Sequence, residues 1–197
     1  MFHLHKFIFP DFAGINQTSS LTLCQTQLFD IMRNVILNLA ISLDGFIEGP
    51  KGEYDWCFTD QDYGMNSFLN SVDTIVMGRK SYEVMLDNMP EPYPGKKIIV
   101  FSNTLESVVP NATVAEEDLL STIRNLKATK GKHIWLYGGA ALVQDCMTYG
   151  LVDELWLAMH PVVLGSGKPL FEGITQNLTL SGSKAYDSGL VMLKYKV

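Results

Sequence analysis

Short apolar runs that end in glycine and lead directly into helical sequence occur twice in this chain. One run covers 74–77 and is followed by Gly78 and a predicted helix to about 88. The other covers 133–137 and is followed by Gly138-Gly139 and a predicted helix to about 149. Buried strands that alternate with helices form mainly parallel sheets with helices on both faces. The pattern therefore predicts an α/β fold.

The rest of the chain predicts one further change of architecture. The last third has strand-like runs with no helix between them, which predicts antiparallel strands added at one edge of a mixed sheet. The other predicted elements are a strand at 34–42, a helix at 60–71 capped by Thr59 or Asp60, a strand at 97–101, a helix at 118–129, and strands at 152–164, 178–182 and 190–197.

Composition excludes several classes of protein. The chain has 197 residues, a net charge of −6 and no Lys/Arg cluster longer than a pair, which argues against a nucleic-acid partner. Cys24, Cys57 and Cys146 are too far apart for a zinc motif or a disulfide framework, so we expect no metal and a reduced, cytoplasmic setting. No apolar run approaches the roughly 20 residues that a membrane-spanning helix needs.

The first 31 residues differ from the rest of the chain. They show no hydrophobic period, and Asp11, Asn16 and Gln17 interrupt the apolar stretch that a signal peptide would require. We interpret residues 1–31 as a disordered or upstream-start extension and residues 32–197 as one folded domain.

The two glycine junctions are candidate phosphate sites. Ligands of open parallel sheets bind beyond the carboxyl ends of the strands, where helix N-termini offer free N–H groups and a positive dipole end. Glycine at 78, 138 and 139 would let a phosphate approach the backbone. Neither junction has the G-x-G-x-x-G pattern, and each alone is also explained as a tight turn between strand and helix.

Basic and polar residues near the first junction favour a phosphorylated dinucleotide. Arg79 and Lys80 begin a helix, where cations are unfavourable unless an anion is bound, and Ser102 and Asn103 follow the next strand without an acid. This favours NADP over NAD. The alternative is that Arg79 and Lys80 are a solvated helix start.

Other polar residues are open to two interpretations. Asp44 follows a buried strand and, if partly buried, would have a raised pKa suited to proton delivery, but Asp-Gly is also a common turn pair. Trp56 would line a ring-binding pocket or pack in the core. His160 is better explained as a structural side chain than as a catalyst, and 165–168 as a hairpin turn than as a phosphate loop.

A set of motifs in this chain is similar to the dihydrofolate reductase-like superfamily. The resemblance is closest to the bacterial RibD C-terminal branch, named for the reductase domain of the bifunctional riboflavin-biosynthesis deaminase–reductase. It covers residues 32–197 and implies a three-layer αβα sandwich that binds NADPH. The motifs are Ser-Leu-Asp-Gly at 42–45, Asp-Trp at 55–56, Met-Gly-Arg-Lys-Ser-Tyr at 77–82, Val-Phe-Ser-Asn at 100–103, Leu-Tyr-Gly-Gly-Ala-Ala-Leu at 136–142, Leu-Val-Asp-Glu-Leu at 151–155, and Pro-Val-Val-Leu-Gly-Ser-Gly-Lys-Pro-Leu-Phe at 161–171.

The resemblance also implies roles for individual residues. Asp44 would lie beside the substrate, with Trp56 and Asp62 as further substrate-binding residues, although the spacing of Asp62 from the Met-Gly-Arg motif departs from that of dihydrofolate reductase. The two glycines of the second junction would be joined by a cis peptide bond. The implied cofactor-binding residues are Gly78, Arg79, Lys80, Ser81, Ser102 and Asn103 for the adenosine 2′-phosphate end, and Gly138, Gly139, Ala140, Ala141 and Leu142 for the pyrophosphate.

Three functions remain open at this point. The first is an NADPH-dependent reductase of a small heterocycle, similar to 5-amino-6-(5-phosphoribosylamino)uracil reductase; this chain has no preceding deaminase motif. The second is a dihydrofolate reductase, and the third is a non-catalytic NADPH-binding protein. Relatives often form homodimers, and the apolar sequence around Trp156 and 162–164 is a candidate surface for one.

Overall fold

A mixed sheet of eight strands organises the computed structural model, which describes residues 33–89 and 91–197. The strand order is β5-β4-β3-β6-β1-β7-β10-β9. A separate pair, β2 and β8, is antiparallel. The strands are β1 (Val35–Ser42), β2 (Phe46–Glu48), β3 (Val72–Gly78), β4 (Lys97–Phe101), β5 (Ala112–Val114), β6 (His133–Gly138), β7 (Glu154–His160), β8 (Lys168–Pro169), β9 (Thr179–Ala185) and β10 (Val191–Lys196).

In the part of the chain that the structure describes, four helices cover the two faces of the sheet and give it the predicted three layers. On one face α1 and α2 pack over a cluster that includes Ile36, Phe68 and Trp135, and on the other α3 and α4 pack over Leu37 and Ile123. Successive residues of β1 point to opposite faces because strand side chains alternate, so one apolar strand supplies both clusters. The helices are α1 (Met65–Ser71), α2 (Arg79–Asn88), α3 (Leu119–Ala128) and α4 (Ala140–Thr148).

The predicted division of the sheet is confirmed. All pairings from β5 across to β7 are parallel, whereas β10 pairs antiparallel with both β7 and β9. The α/β class and the antiparallel C-terminal addition are therefore as predicted. The prediction for residues 1–31 lies outside the described residues.

Several predicted boundaries are wrong for local reasons. The helix predicted from residue 60 begins at Met65, because Gly64 takes the N-cap position with a left-handed φ of 88°. The strand predicted over 152–164 stops at His160, before Pro161. The strand predicted over 178–182 extends over Thr179–Ala185.

The segment interpreted as a hairpin turn at 165–168 has a different role. It leads into β8, which pairs with β2 rather than with a sequence neighbour. A Cβ on Gly167 would lie 2.1 Å from the Glu48 carbonyl oxygen, and its φ is +148°. Only glycine meets both conditions, so this residue permits the close approach of the two short strands.

Candidate active site

A cavity of about 970 Å³ lies against the sheet face that carries α1 and α2. Its floor is formed by β6, β1, β7 and β10, and its other walls by α1, the loop before it, and the first turns of α2 and α4. The cavity therefore extends to the carboxyl ends of β3 and β6, where an open α/β sheet binds its ligands.

Two helix N-termini meet at one end of this cavity. Gly78 is the N-cap of α2 and Gly139 is the N-cap of α4, and neither helix has a side-chain cap or an acid in its first turn. The first N–H groups of both helices are thus left without a side-chain partner at a cavity wall. The peptide bond between Gly138 and Gly139 is cis, as the resemblance implies.

The same end carries the basic residues singled out from the sequence. The structure places Gly78, Arg79, Lys80 and Ser81 in the lining of the cavity. Glu83 is the only ion-pair partner of Arg79 among the described residues, at 3.5 Å between two half-exposed side chains. The residues 138–142 line it as well, so the two predicted glycine junctions form one surface.

Ser102 and Asn103 lie outside the main cavity, in a depression of about 300 Å³ with Phe101, Ala115 and 117–119. The two hollows are neighbours, because Gly78 pairs with Phe101 in the register of β3 and β4. The structure therefore brings all the residues predicted for the cofactor to one edge of the sheet, in two adjoining hollows.

Asp44 is not brought into the cavity lining. Its carboxylate accepts hydrogen bonds from the backbone N–H groups of Leu164 (3.1 Å) and Gly165 (2.7 Å) and from the Ser42 hydroxyl (2.7 Å). The Ser42 hydroxyl, followed by the backbone N–H groups, lowers the pKa of Asp44, the opposite of the raised pKa expected from burial. This arrangement fixes the turn after β7.

Trp56 also lies outside the lining, whereas His160 is part of it. The edge of Trp56 meets the His160 ring with centroids 5.3 Å apart. His160 is 3% exposed, and its Nε2 accepts the backbone N–H of Phe58 at 3.0 Å, so this side chain ties the loop before α1 to the end of β7. The structural interpretation of His160 thus has a specific geometric basis.

Asp62 lies in the cavity wall, but its oxygens are engaged. Oδ1 accepts from the Asn66 N–H at 2.8 Å and Oδ2 from the Gly64 N–H at 3.1 Å. These bonds close the turn that begins α1. The carboxylate therefore borders the cavity mainly as a structural element of that turn.

Sequence reasoning missed several residues of the floor, among them Asn38, Trp156 and Lys194. The one available signal was Asn38, a polar residue in the middle of an apolar strand. The apolar sequence around Trp156 was a candidate dimer surface, which stays a prediction; the Trp156 ring itself packs against Phe68 on the cavity side of the sheet, with centroids 5.3 Å apart.

Two features are absent from the part of the chain that the structure describes. No helix in residues 33–89 and 91–197 is long and apolar enough to cross a membrane. Within those same residues, no three His, Cys, Asp or Glu side chains are grouped so as to hold a metal ion.

The fold defines an α/β protein of the dihydrofolate reductase-like type, in which two helix N-termini without side-chain caps lie at one end of a cavity. The family model for the RibD C-terminal domain matches residues 33–192. The chain belongs to this family, which is a family of reductases that act on small heterocycles.

Two relatives match this chain over nearly the whole of their own length. The chain is 42% identical over 177 residues to the Bacillus subtilis protein YyaP, covering 83% of this chain and 94% of the relative. It is 37% identical over 170 residues to YwjB of the same organism, covering 83% and 97%.

Solved structures show the same fold. A Shewanella protein assigned to riboflavin biosynthesis superposes with a TM-score of 0.72 at 28% identity, covering 83% of this chain and 98% of its own. The deaminase/5-amino-6-(5-phosphoribosylamino)uracil reductase of Thermotoga maritima gives 0.68 at 16% identity, covering 87% of this chain and 58% of that one. The latter likeness supports the fold alone.

Proposed function

We propose that this protein is an NADPH-dependent reductase of a small heterocycle, similar in reaction to 5-amino-6-(5-phosphoribosylamino)uracil reductase. The observation that carries the proposal is the meeting of two uncapped helix N-termini at one end of a large cavity. A pyrophosphate needs N–H donors and positive potential, and this end offers both.

The residues present fit a dinucleotide. A Cβ on Gly139 would approach the Ser81 hydroxyl to 3.3 Å and so would narrow the gap between the two helix starts. The backbone from Gly138 to Leu142 would hold the pyrophosphate, while Arg79 and Lys80 would pair with the 2′-phosphate. The adjoining depression at Ser102 and Asn103 would receive the adenosine end.

The other end of the cavity would hold the substrate. When bound, the nicotinamide supplies a hydride. The protein's own contribution is to bind and orient the heterocycle on the sheet face and to exclude water through α1 and the loop that His160 fixes. Asp44 would act by positioning the turn at Leu164–Gly165 beside β8 rather than by touching the substrate.

Dihydrofolate reduction is a second candidate, because Asp62, the residue that the resemblance relates to the substrate-binding acid of dihydrofolate reductase, lines the cavity just before α1. Both of its oxygens, however, accept backbone hydrogen bonds. Methotrexate-type inhibition together with loss of activity in Asp62→Asn would favour this candidate over the first.

The experiment that tests the proposal is titration of the purified protein with NADPH and NADH, followed by energy transfer from tryptophan to nicotinamide. We expect tighter binding of NADPH, and we expect Arg79→Ala to weaken it by about tenfold or more, since a hydrogen bond to a charged group contributes about 1.5–3 kcal/mol. Arg124→Ala, at an exposed position of α3 outside both hollows, is the matched control.

The outcomes test the cofactor assignment and separate a reductase from a non-catalytic binding protein. Equal affinity of wild type for both cofactors would contradict the 2′-phosphate assignment, and no binding of either would overturn the proposal. Tight NADPH binding without oxidation by any of a panel of pyrimidines and pterins would identify a non-catalytic binding protein.

A homodimer is part of the proposal. The outer edge of β9 has no partner strand among the described residues, and Leu180 on it is 55% exposed. An edge strand presents unpaired backbone N–H and C=O groups with which a second chain can pair. A monomeric mass in light scattering would refute this.

A further inference from the structure

Three side chains form a row across the floor of the cavity. Asn38 on β1 lies opposite Trp156 on β7, and Trp156 lies opposite Lys194 on β10. Residues opposite each other in a sheet point to the same face, and all three line the cavity. The row therefore presents an amide, an aromatic ring and an ammonium group side by side.

The next row along the strands is made of smaller groups. Ala40 lies opposite Ala158, which lies opposite Met192, and these residues also line the cavity. Two methyl side chains beside a tryptophan leave a hollow whose floor is apolar. A flat ring that lies on Ala40 and Ala158 would direct one edge at the first row.

The amide of Asn38 is available to such a ring. The residue is 5% exposed, and its side chain makes no hydrogen bond to another described residue, although its backbone carbonyl accepts from Trp135 Nε1 at 2.9 Å. No described side-chain N or O atom is buried without a partner, and Asn38 lines the cavity, so a ligand that displaces water from its amide must replace the lost hydrogen bonds. A ligand edge that carries one acceptor and one donor satisfies both the donor and the acceptor of the amide.

The ammonium of Lys194 lies over the middle residue of the row. Its Nζ lies 3.3 Å from the centroid of the Trp156 ring, so it leans from its own strand toward β1. Trp156 is on β7, the strand between β10 and β1, so the ammonium lies over the residue that separates Lys194 from Asn38 in the row. Burial lowers the pKa of Lys194, so an oxygen of the ligand would restore solvation that the ammonium has lost.

Burial lowers the pKa of Lys194 and the Glu154 carboxylate raises it in part, but Glu154 is not among the residues that line the cavity. The oxygens of Glu154 accept from Trp156 Nε1 and from the Asn34 amide, and Asp62 is engaged by backbone N–H groups. Glu48 lines the cavity on β2, where its strand pairs with Lys168. A cationic ring on this row would meet the ammonium of Lys194 and the neutral amide of Asn38, because the carboxylates of Glu48 and Asp62 belong to other walls of the cavity.

We propose that Asn38 and Lys194 select the charge state of the heterocycle, accepting a neutral or anionic ring with an adjacent N–H and C=O and rejecting a protonated ring. The inference rests on the proposed function, since it names the specificity residues of the same cavity. Asn38 serves the N–H/C=O edge, and Lys194 serves an oxygen next to it.

The test compares two fused rings of one shape: lumazine, which has two oxo groups, and 2,4-diaminopteridine, which protonates readily. Their binding is measured by titration calorimetry at pH 5.0, where the diamino ring is largely protonated and lumazine is neutral. We expect wild type to bind lumazine about tenfold or more tighter, the effect of one hydrogen bond to a charged group. Equal binding, preference for the diamino ring, or binding of neither would overturn the inference.

Substitutions at the row test the residues directly. Asn38→Asp is expected to reverse the preference, because a carboxylate pairs with the protonated ring. Asn38→Leu, which has a side chain of similar size, is expected to weaken the binding of lumazine about tenfold and not to strengthen the binding of the diamino ring. Should Asn38→Asp fail to fold, Asn38→Leu and Lys194→Met still decide the matter, and an unchanged ring preference in both overturns it.

Matched controls keep this test separate from the proposed function. Lys184→Met removes a similar lysine that lies over Tyr186, 4.5 Å from its ring centroid and outside the cavity, and should leave lumazine binding unchanged. NADPH affinity is measured for every variant and should be retained. Ring selection without NADPH binding would refute the cofactor assignment alone, whereas NADPH binding without ring selection would refute this inference alone.

Discussion

His160 makes a two-sided contact that only the neutral imidazole allows. Nδ1 lies 2.9 Å from the carbonyl oxygen of Ala158, which can only accept, so Nδ1 carries the proton. Nε2 lies 3.0 Å from the backbone N–H of Phe58, which can only donate, so Nε2 has none. Protonation would set two N–H groups against each other. The loop that carries Phe58 and Trp56 would then lose its attachment to β7.

The size of the effect follows from these two bonds. Replacing His160 with Phe keeps a ring between Trp56 and Phe58 but removes both hydrogen bonds. Each contributes about 1 kcal/mol net, so the loss is about 2 kcal/mol. For a chain of this length 1 kcal/mol shifts Tm by roughly 2–4 °C, which predicts a fall of roughly 4–8 °C at pH 7.5.

The pH dependence has a defined sign. Burial lowers the pKa of His160 below its usual value of 6.5. A group with a lowered pKa in the folded state stabilises the fold above its unfolded pKa and loses that contribution as pH falls through the folded value. The stabilisation is therefore complete above about 6.5 and decreases as the pH falls below it.

Thermal unfolding of wild type and His160→Phe at pH 7.5 and 5.0 measures this directly. We expect the difference in Tm between the two proteins to shrink at pH 5.0, because wild type alone loses the contribution. Subtracting the variant removes the effect of the other histidines. A difference in Tm that stays constant with pH would refute the assignment of a neutral imidazole with two hydrogen bonds.

Two further substitutions test the walls of the cavity. Asp44→Asn should lower turnover with NADPH affinity retained, because the turn at Gly165 loses a charged acceptor; steady-state kinetics with unchanged turnover would remove Asp44 from the mechanism. Gly139→Val should weaken NADPH binding about tenfold or more, because the side chain crowds the gap beside Ser81. The Tm should stay near that of wild type, since the φ of −76° at this position suits any residue. Unchanged NADPH affinity would show that the pyrophosphate binds elsewhere.

The central strands and the glycine junctions are the parts of the fold that local sequence predicts well. The run predicted over 97–101 is strand β4 over the same residues, and the strand predicted over 34–42 begins one residue later. These strands are apolar throughout because they are buried on both faces, so their signal does not depend on distant partners. Gly78 and Gly139 carry the helix starts for the same local reason.

The parts that sequence did not predict depend on distant partners. Strands β2 and β8 have three and two residues, too few to show a period, and exist because Gly167 lets them meet. Strand β5, at Ala112–Val114, has no signal apart from its pairing with β4. The start of α1 is set by Gly64 in a left-handed conformation, whereas Asp60 and Thr59 were the residues with capping chemistry.

The two ends of the candidate site differ in the same way, since one depends on local sequence and the other on contacts between distant residues. The end proposed for the cofactor depends on backbone N–H groups at two strand–helix junctions, and each junction is contained in a few consecutive residues, so local sequence could single out both. The end proposed for the substrate depends on Asn38, Trp156 and Lys194, which are far apart in sequence and meet only through the register of three strands. Members of the family can therefore keep one cofactor end while the floor row changes. Substrate differences among relatives that share the glycine junctions should accordingly follow the residues at these three floor positions.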